Sequence, residues 1–512
     1  MATLATCLLA LGACGGGGGG SSVVTNTDNP VLSATDSSGS VSDSGQPPAA
    51  QRARVPSGDW TRFDYNAERS GVGPASTGIT TRNLNSLRLR RIQLDGTVDS
   101  SPIQLHALRV RGRVRDVVFA TTTYGRTIAL DPGTGTKLWE YVPPDIRRYE
   151  GTYQITNTTP VADPGRRYLY AASPDGLIRK LSTTTGHEVR SGNWPARVTL
   201  LPAREKLAAA LNLSGNSVIA TTGGYIGDAP PYQGHVALVD RATGRVNHVW
   251  NSLCSDRRRL IQPSSCQASD SAIWSRAGAV VEPGSGRLLV ATGNAPFNGR
   301  TNWGDSALEL SADATRLLHN WTPSNQADLN DSDTDLGSTS PALLPTTSGV
   351  RLAVQGGKEG NLALINLDRT PLGATGGELQ RISAPGGSAV FTAPVVWTHG
   401  GRTNLFVAND AGMTSYQLIG GTRPRLRVAA QGASAGTSPV LAGGLLYIYD
   451  SGAPALRVYD PSSLKRLASL PLSGTGHWNS PIVIGGRIIV PEGNANDHRR
   501  SGQIEIYHLP GR

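Results

Sequence analysis

The sequence predicts an all-β protein, an eight-bladed β-propeller built from four-stranded antiparallel blades. Two observations carry this prediction: a strand–turn–strand pattern returns eight times, and a small residue followed by proline precedes most copies. A third is composition, since the 512 residues include 62 glycines and 33 prolines. Both residues interrupt helices and are common in the turns between short strands. The chain is therefore expected to contain many short strands rather than long helices.

Each copy of the repeat begins with an apolar strand, turns through glycine, and continues into a second apolar strand. In the first copy the second strand ends at Asp131, and a turn with Thr134 and Gly135 leads to a further strand containing Trp139. One four-stranded blade needs roughly 40 to 50 residues, which matches the repeat. The eight copies lie within residues 117–139, 168–186, 218–250, 288–321, 352–366, 405–418, 445–467 and 488–507.

A proline marks the beginning of most blades. Proline suits the first residue of a strand, where no ladder hydrogen bond needs its missing N–H. A solenoid of hairpins is the alternative architecture; for a closed ring, we expect residues 87–94 to supply the closing strand. The prolines are Pro102, Pro160, Pro341, Pro394, Pro439 and Pro481, and the last four are separated by 53, 45 and 42 residues.

The N-terminal residues are predicted to be an export signal rather than part of the folded domain. Leu11-Gly12-Ala13-Cys14 follows a short apolar run and resembles a bacterial lipobox, in which Cys14 would carry the lipid. The apolar run is too short to span a membrane. We therefore expect residues 1–14 to be a lipoprotein signal, with an incidental cysteine in a disordered tail as the alternative.

The segment after Cys14 is expected to be a tether. Residues 15–57 begin with six glycines and are rich in Ser, Asp, Thr and Pro, so they bury too little apolar surface to fold. The propeller would then occupy residues 58–512 as a single domain. This organisation predicts an exported, lipid-anchored protein on the periplasmic side of the cell envelope. Gly15 replaces the aspartate associated with inner-membrane retention, which favours the outer membrane.

Two cysteines remain in the predicted mature domain, Cys254 and Cys266. An oxidising compartment favours a disulfide between them. A metal site at this pair is not expected, because no histidine lies nearby to complete a ligand set.

The charge balance excludes little on its own. The formal net charge is +10, but the basic residues are dispersed and almost all are arginine, with only five lysines. A solvated basic surface explains this pattern better than nucleic-acid binding. The sequence also lacks a phosphate-binding loop, a His-Glu-x-x-His motif and a Gly-x-Ser-x-Gly motif. We expect neither nucleic acid nor NAD as a partner.

The repeat resembles the pyrroloquinoline quinone (PQQ) repeat of quinoprotein alcohol dehydrogenases. The residues from Trp60 to Asp64, with Asn66 and Arg69, also look like the leading segment of those enzymes. The resemblance implies an eight-bladed propeller over roughly residues 60–509. It is specific for the fold and weak for function, because the repeat also occurs in non-catalytic propellers such as the lipoprotein of the outer-membrane protein assembly machine.

The resemblance also implies a cofactor site on the propeller axis. Trp274 is similar to the tryptophan that stacks on PQQ, and Asn294 in Thr-Gly-Asn is similar to the asparagine that binds Ca²⁺. Asp335 lies 41 residues beyond Asn294 and resembles the family's base, with Asp333 as its neighbour. Lys358, in a Gly-rich turn, resembles the cation that contacts the quinone oxygens. Structural roles remain the alternative for each: a core tryptophan, a turn asparagine, a solvated acidic loop and a surface lysine.

The sequence also departs from the family. The adjacent cysteine pair that covers one cofactor face is absent, and no glutamate occurs where a metal ligand is expected, near Gly223 to Asp228. Asp228 is the candidate substitute. No Cys-x-x-Cys-His occurs, so we expect no attached c-type haem. His477 precedes the last blade and is expected to have a structural role, with a place in the axial funnel as the alternative.

The function that this resemblance implies is PQQ- and Ca²⁺-dependent oxidation of an alcohol or sugar-like substrate. Asp335 or Asp333 would take the hydroxyl proton, and an external acceptor would take the electrons. The alternative is a non-catalytic propeller that binds proteins or glycans of the envelope. Convergence of Trp274, Asn294, Asp335 and Lys358 on one axial cavity would favour the enzyme.

Overall fold

The strands assemble into eight four-stranded antiparallel sheets, which confirms the predicted eight-bladed propeller. The computed structural model describes residues 58–369 and 371–512. The predicted lipid-bearing Cys14, the signal of residues 1–14 and the tether of residues 15–57 all lie outside the described residues.

Blades one to four follow the chain in order. The earliest strand, β1 (Arg88–Leu94), is set aside for the last blade. Blade one contains β2 (Ile103–Val110), β3 (Arg113–Thr121), β4 (Thr127–Leu130) and β5 (Lys137–Tyr141). Blade two contains β6 (Val161–Ala162), β7 (Tyr168–Ser173), β8 (Leu177–Ser182) and β9 (Ala196–Arg197). Blade three contains β10 (Asn212–Ser214), β11 (Ser217–Thr221), β12 (His235–Asp240) and β13 (Val246–Asn251). Blade four contains β14 (Val280–Val281), β15 (Leu288–Ala291), β16 (Ala307–Leu310) and β17 (Leu317–Trp321).

Blades five to eight continue in the same way. Blade five contains β18 (Ala342–Thr347), β19 (Val350–Gln355), β20 (Asn361–Asn366) and β21 (Gln380–Ser383). Blade six contains β22 (Val395–His399), β23 (Arg402–Asn409), β24 (Gly412–Ile419) and β25 (Arg425–Ala433). Blade seven contains β26 (Val440–Ala442), β27 (Leu445–Tyr449), β28 (Ala455–Tyr459) and β29 (Arg466–Pro471). Blade eight contains β30 (Ile482–Ile484), β31 (Arg487–Glu492), β32 (Gly502–His508) and β1.

Helices are few and short in the described residues. The α-helix α1 (Gln326–Asp331) precedes blade five and was not predicted from the sequence. No helix in the described residues is long and apolar enough to cross a membrane. The 3₁₀ turns are Leu84–Ser86, Ile146–Arg148, Pro263–Ser265, Leu336–Ser338, Pro385–Gly387 and Ala495–Asp497.

Burial along the strands explains the composition of the repeat. All five residues of β27 are buried, as are all four of β15, because the middle of each blade packs against neighbouring blades on both faces. The fourth strand of blade six, β25, is mostly exposed and buries only Leu426 and Ala433. Continuous apolar runs therefore mark the inner strands, and polar patterns mark the rim.

The Asp-x-x-Thr-Gly turns have a common physical basis. In the first copy, Asp131 Oδ1 accepts hydrogen bonds from the backbone N–H groups of Gly133 (2.9 Å) and Thr134 (3.2 Å). Gly135 then adopts a φ of +80°, which glycine enters without steric cost. The seventh copy keeps the aspartate, Asp460, but places Leu464 at the glycine position with a φ of +55°. The aspartate cap therefore maintains this turn even without glycine.

The ring closes as the sequence predicted. Strand β1 pairs antiparallel with β32 along its whole length, from Arg88 opposite His508 to Leu94 opposite Gly502. The final blade thus combines strands from both ends of the described chain, which removes the open edge that a linear array of blades would leave.

The leading segment, residues 60–77, lies across the first strands of several blades. The Trp60 and Gln104 backbones exchange two hydrogen bonds of 2.8 Å in blade one. Further along, the Ala67 carbonyl accepts from Val281 N in blade four and the Thr77 carbonyl accepts from Gly486 N in blade eight. First strands of neighbouring blades contact one another around the axis. The segment therefore covers one end of the axial region.

Candidate functional site

A cavity of about 350 Å³ gathers residues from the loops of several blades. This volume lies within the usual range for small-molecule sites. The residues come from loops that lead into first strands or connect second and third strands, which places the cavity at the axis. Its lining residues are Asn157, Lys206, Ala208, Gly224, Tyr225, Ile226, Gly227, Asp228, Tyr232, Ala272, Trp274, Arg276, Asp333, Asp335, Lys358, Phe391, His477, Trp478 and Asn496.

Three aromatic side chains form one wall of the cavity. Phe391 and Trp478 are stacked, with ring centroids 4.5 Å apart and an angle of 9° between the planes. Trp274 contacts both in a tilted arrangement, at 6.1 Å from Phe391 and 6.0 Å from Trp478. All three are only partly buried. The structure therefore places the predicted stacking residue in a partly exposed aromatic cluster that lines the cavity.

Asp335 and Lys358 form an ion pair in the same cavity. Lys358 Nζ lies 2.5 Å from Asp335 Oδ2 and 3.3 Å from Asp333 Oδ1. Asp335 is 5 % exposed, whereas Asp333 is exposed to solvent. Burial raises the pKa of the Asp335 carboxyl above its usual value, although Lys358 and the Asn294 N–H oppose this shift. Burial lowers the pKa of Lys358, but the two carboxylates outweigh it and the net shift is upward.

Local backbone geometry fixes the Asp335 carboxylate. The Asn294 N–H donates to Asp335 Oδ1 at 2.9 Å. Gly293 lies beside this oxygen, and a Cβ at that position would collide with it. The Thr292-Gly293-Asn294 turn therefore needs glycine so that the carboxylate can approach the backbone closely. This requirement gives a physical reason for the Thr-Gly-Asn motif.

Asn294 reaches the site through its backbone rather than its amide. Its carbonyl accepts from Ser271 N at 2.8 Å, and its N–H holds Asp335. Its side chain does not contribute to the cavity lining. The structure therefore places the expected metal-binding asparagine next to the predicted base, with its side chain outside the cavity.

Asp228 lines the mouth of the cavity and is exposed. Its Oδ1 accepts a hydrogen bond of 2.8 Å from the Tyr232 hydroxyl. Tyr232 is buried, and burial together with the nearby carboxylates raises the pKa of its phenol. Asp228 therefore has a structural partner in the position where the sequence analysis expected a metal ligand.

The donor set does not fit a divalent metal ion. Both Asp335 oxygens already have partners, Asn294 N–H and Lys358 Nζ, and the Asn294 amide lies outside the cavity lining. No group of three His, Cys, Asp or Glu side chains suited to a metal occurs within residues 58–369 and 371–512. Calcium prefers six to eight oxygen ligands. The Lys358 ammonium instead neutralises the buried carboxylate.

A second polar cluster joins His477, which lines the cavity as its alternative assignment to the axial funnel required, to two residues that the sequence did not single out, Asp99 and Arg276. Arg276 Nη2 donates to Asp99 Oδ1 at 2.7 Å and to the His477 carbonyl at 2.6 Å. His477 Nδ1 lies 2.9 Å from Asp99 Oδ2, which also accepts from the Ala495 N–H at 2.9 Å. The only signal in the sequence was position, since Asp99 precedes the proline mark of blade one and Arg276 lies two residues after Trp274.

Lys206 is another cavity residue that the sequence did not single out. It is 7 % exposed and lies before the first strand of blade three. Burial, followed by repulsion from Arg276, lowers the pKa of its ammonium to about 8, and Asp99 only partly opposes this. The cavity thus contains three cationic side chains, Lys206, Arg276 and Lys358.

The cysteine pair lies away from the cavity lining. Cys254 and Cys266 form a disulfide that closes the loop after blade three. The Trp303 indole of blade four donates to the Ser255 hydroxyl at 3.0 Å, which holds this loop against its neighbour.

The cavity fits a planar aromatic acid such as PQQ. An aromatic wall complements a flat ring system, and the cationic side chains complement carboxylates. The volume lies within the range of cofactor and ligand sites. The absent cysteine pair affects only the covering of one face.

Comparison with known proteins agrees with the fold. A sequence profile of the family described as outer membrane protein assembly factor BamB, a PQQ-type repeat family, matches residues 95–306. No curated protein sequence matches the chain significantly.

Solved dehydrogenase structures superpose over most of the chain. The quinohemoprotein alcohol dehydrogenase from Comamonas testosteroni aligns with a TM-score of 0.64 and 14 % identity, covering 90 % of this chain and 82 % of that chain. The alcohol dehydrogenase ADHIIG from Pseudomonas putida HK5 has a TM-score of 0.62 and 14 % identity, with 89 % and 81 % covered. A europium-containing methanol dehydrogenase also has a TM-score of 0.62 and 14 % identity, with 89 % and 98 % covered. At this identity the likeness is one of fold: the chain is an eight-bladed β-propeller whose fold matches these structures.

Proposed function

We propose that the chain binds a PQQ-class cofactor in its axial cavity and oxidises an alcohol or sugar-like substrate. The observation that carries this proposal is the convergence of the Trp274 aromatic wall, the Asp335–Lys358 pair and two further cations on one cavity. A scaffold that binds proteins through its outer surface has no need of such a cavity. The fold shared with three solved dehydrogenases supports the proposal without deciding it.

The aromatic and cationic side chains of the cavity have different roles in this proposal. Trp274, with Phe391 and Trp478, would hold the planar ring, and the cations would orient its carboxylates. When bound, PQQ supplies a two-electron acceptor. Lys358 supplies positive charge next to the reacting groups, where the reduced form gains negative charge.

Asp335 is the proposed base. Its carboxylate is buried and held by Asn294 N–H, and its raised pKa brings it closer to neutral pH than that of an exposed aspartate. Lys358 keeps it ionised, so that it can accept the hydroxyl proton of the substrate. Asp333 is exposed and its carboxylate lies 3.3 Å from Lys358 Nζ, which makes it the weaker candidate. The exposed Ile226 and Asp228 at the mouth would meet an entering substrate.

The test is dye-linked alcohol oxidation by the purified chain reconstituted with PQQ. Asp335→Asn is expected to lower turnover by about 10²- to 10⁴-fold, the usual contribution of a general base. Asp331→Asn is the matched control, because Asp331 is exposed at the end of α1 and does not line the cavity. Equal turnover in Asp335→Asn and Asp331→Asn would show that the base is assigned wrongly.

The second candidate function is a non-catalytic scaffold of the cell envelope. The match of residues 95–306 to the family described as outer membrane protein assembly factor BamB favours it. Its partner would be an envelope protein or glycan. The two functions differ in one measurable respect: a scaffold would neither bind PQQ nor reduce a dye with any alcohol in a broad panel.

Both functions fit an exported protein, and we propose that the chain is anchored in the cell envelope by a lipid on Cys14. Metabolic labelling with a fatty acid is expected to mark the wild-type chain and not Cys14→Ser. Equal labelling of both would refute the anchor.

A further inference from the structure

Lys206 is a buried cation in the axial cavity without an anionic partner of its own. It is 7 % exposed, and its side chain contributes to the cavity lining. Its backbone N–H donates to the Gly223 carbonyl at 2.6 Å, and its carbonyl accepts from Gly223 N at 3.0 Å. Within residues 58–369 and 371–512 its Nζ has no hydrogen bond and no carboxylate within 4 Å. The backbone therefore fixes a cation whose charge the protein leaves uncompensated.

The nearby acids are already committed to other partners. Asp99 binds Arg276, the Ala495 N–H and the His477 ring. Asp335 binds Lys358. Glu205, the preceding residue, accepts from Thr199 and from the Gln233 N–H, and burial raises its pKa to about 8. Glu205 is thus mainly neutral at pH 7 and supplies little charge to Lys206.

Lys206 therefore calls for an anion that the protein does not supply, and the neighbouring groups indicate the chemical class of that anion. Buried charges in proteins are normally paired, because desolvation without a partner is unfavourable. Arg276 is close enough to Lys206 to lower its pKa, and the Arg276 guanidinium also lies 5.8 Å from the centre of the Trp478 ring. The cationic corner is thus continuous with the aromatic wall.

We propose that Lys206 anchors a carboxylate of the axial ligand, so that the ligand of this cavity is an aromatic acid held by an ion pair at Lys206. This inference rests on the proposed function, which makes the cavity a ligand site. It adds one ligand contact, at a residue that no sequence motif marked. The carboxylate would neutralise Lys206 while the ring of the ligand contacts the aromatic wall.

The inference is tested by measuring the equilibrium binding of three probes through the change in tryptophan fluorescence. The probes are PQQ, 2,6-naphthalenedicarboxylate, and the uncharged 2,6-naphthalenedicarboxamide. Lys206→Met is expected to weaken both acids by about 10- to 100-fold, the usual worth of a hydrogen bond to a charged group, and to leave the diamide unchanged. Lys206→Arg should retain acid binding, which separates loss of charge from loss of fold. Lys465→Met, at an exposed lysine, is the matched control and should bind like the wild type.

The pH dependence provides a second readout. A bound carboxylate favours the charged lysine, so acid binding should weaken by about tenfold between pH 7 and pH 9 as free Lys206 loses its proton. The other charged and titratable groups in and beside the cavity remain in Lys206→Met: Asp99, Glu205, Asp228, Asp333, Asp335, Arg276, Lys358, Tyr225, Tyr232 and His477. A pH dependence unchanged in Lys206→Met would assign the effect to them and overturn the inference.

The outcomes separate this inference from the proposed function. Lys206-dependent binding of naphthalenedicarboxylate without binding of PQQ would support the anchor and refute the PQQ-class enzyme. Binding of both acids with no loss in Lys206→Met would refute the anchor and leave the enzyme standing. Failure of both acids to bind would overturn both.

Discussion

At the scale of single residues, the site depends on how a buried carboxylate keeps its charge. Asp335 has one partner on each oxygen, the Asn294 N–H and Lys358 Nζ. Removing either partner would shift the proton equilibrium of the base while leaving the aromatic wall in place. The proposed enzyme should therefore show this coupling in its dependence on pH.

Replacing Lys358 by methionine should move the acid limb of the pH–rate profile to higher pH. The pKa of Asp335 is already raised by burial, and Lys358 opposes that rise. Without the ammonium, the Asp335 carboxyl keeps its proton to a higher pH. The ionised base is then available only at higher pH. The measurement is kcat against pH for dye-linked oxidation, with Lys358→Arg as the charge-preserving control. An acid limb at the same pH in Lys358→Met would disconnect Lys358 from the base.

At the scale of elements, buried polar residues in blade three give stability its own dependence on pH. Glu205 lies before β10 and accepts from Thr199 and the Gln233 N–H, and His235 begins β12 close by. Burial raises the pKa of Glu205 to about 8 and lowers the pKa of His235 to about 4. Both groups are thus mainly neutral in the folded protein near pH 6 to 7.

Replacing Glu205 by glutamine should stabilise the protein increasingly as pH rises from 5 to 8.5. The folded protein keeps the Glu205 proton up to about pH 8, whereas the unfolded chain releases it near pH 4.5. The contribution of Glu205 to stability is therefore complete below pH 4.5 and is lost as pH rises to 8. His235 changes in the opposite sense, but over pH 4 to 6.5.

The measurement is the free energy of unfolding at several pH values for the wild type and Glu205→Gln. We expect near-equal stability at pH 5 and an advantage of a few kcal/mol for glutamine at pH 8.5. The control is Asp256→Asn, which removes an exposed carboxylate and should leave the pH dependence of stability unchanged. A constant difference across the pH range would contradict the assignment to Glu205.

Much of the fold, and part of the candidate site, could be predicted from the sequence. Strand order, blade boundaries and the closing strand follow from local patterns, because apolar runs recur in every blade and aspartate-capped turns and prolines recur in most of them. Trp274, Asp335 and Lys358 could be located because they belong to recognisable turns. Lys206, Arg276 and Asp99 could not, because they meet only when blades one, three and four surround the axis. The direction of the Asn294 side chain could not be predicted either, because a turn motif determines the backbone conformation but not where a side-chain amide points.

At the scale of the whole molecule, the ring depends on the pairing of its two ends. Strand β1 is the outer strand of blade eight and covers β32. Ile92 and Leu94 are buried, whereas Gln93 between them is exposed. Two adjacent residues on one strand therefore report separately on packing and on surface chemistry.

Ile92→Lys should destabilise the propeller by about 2 to 5 kcal/mol, because it removes a buried side chain and introduces a charge into a packed blade. Gln93→Lys introduces the same charge on the exposed face and should change stability by less than about 1 kcal/mol. Urea denaturation of both variants checks this. Similar midpoints for the two would show that β1 does not close the ring.

We propose that the axis of this propeller binds a cofactor and that the chain's own cations take the place of a divalent metal there. The most direct test is titration of the purified full chain with PQQ, with and without EDTA, followed by quinone absorbance. We expect one PQQ to bind per chain at micromolar concentration in EDTA, with about tenfold weaker binding in Trp274→Ala. Binding that requires added Ca²⁺ would contradict the metal-free site, and no binding under either condition would contradict the cofactor site itself.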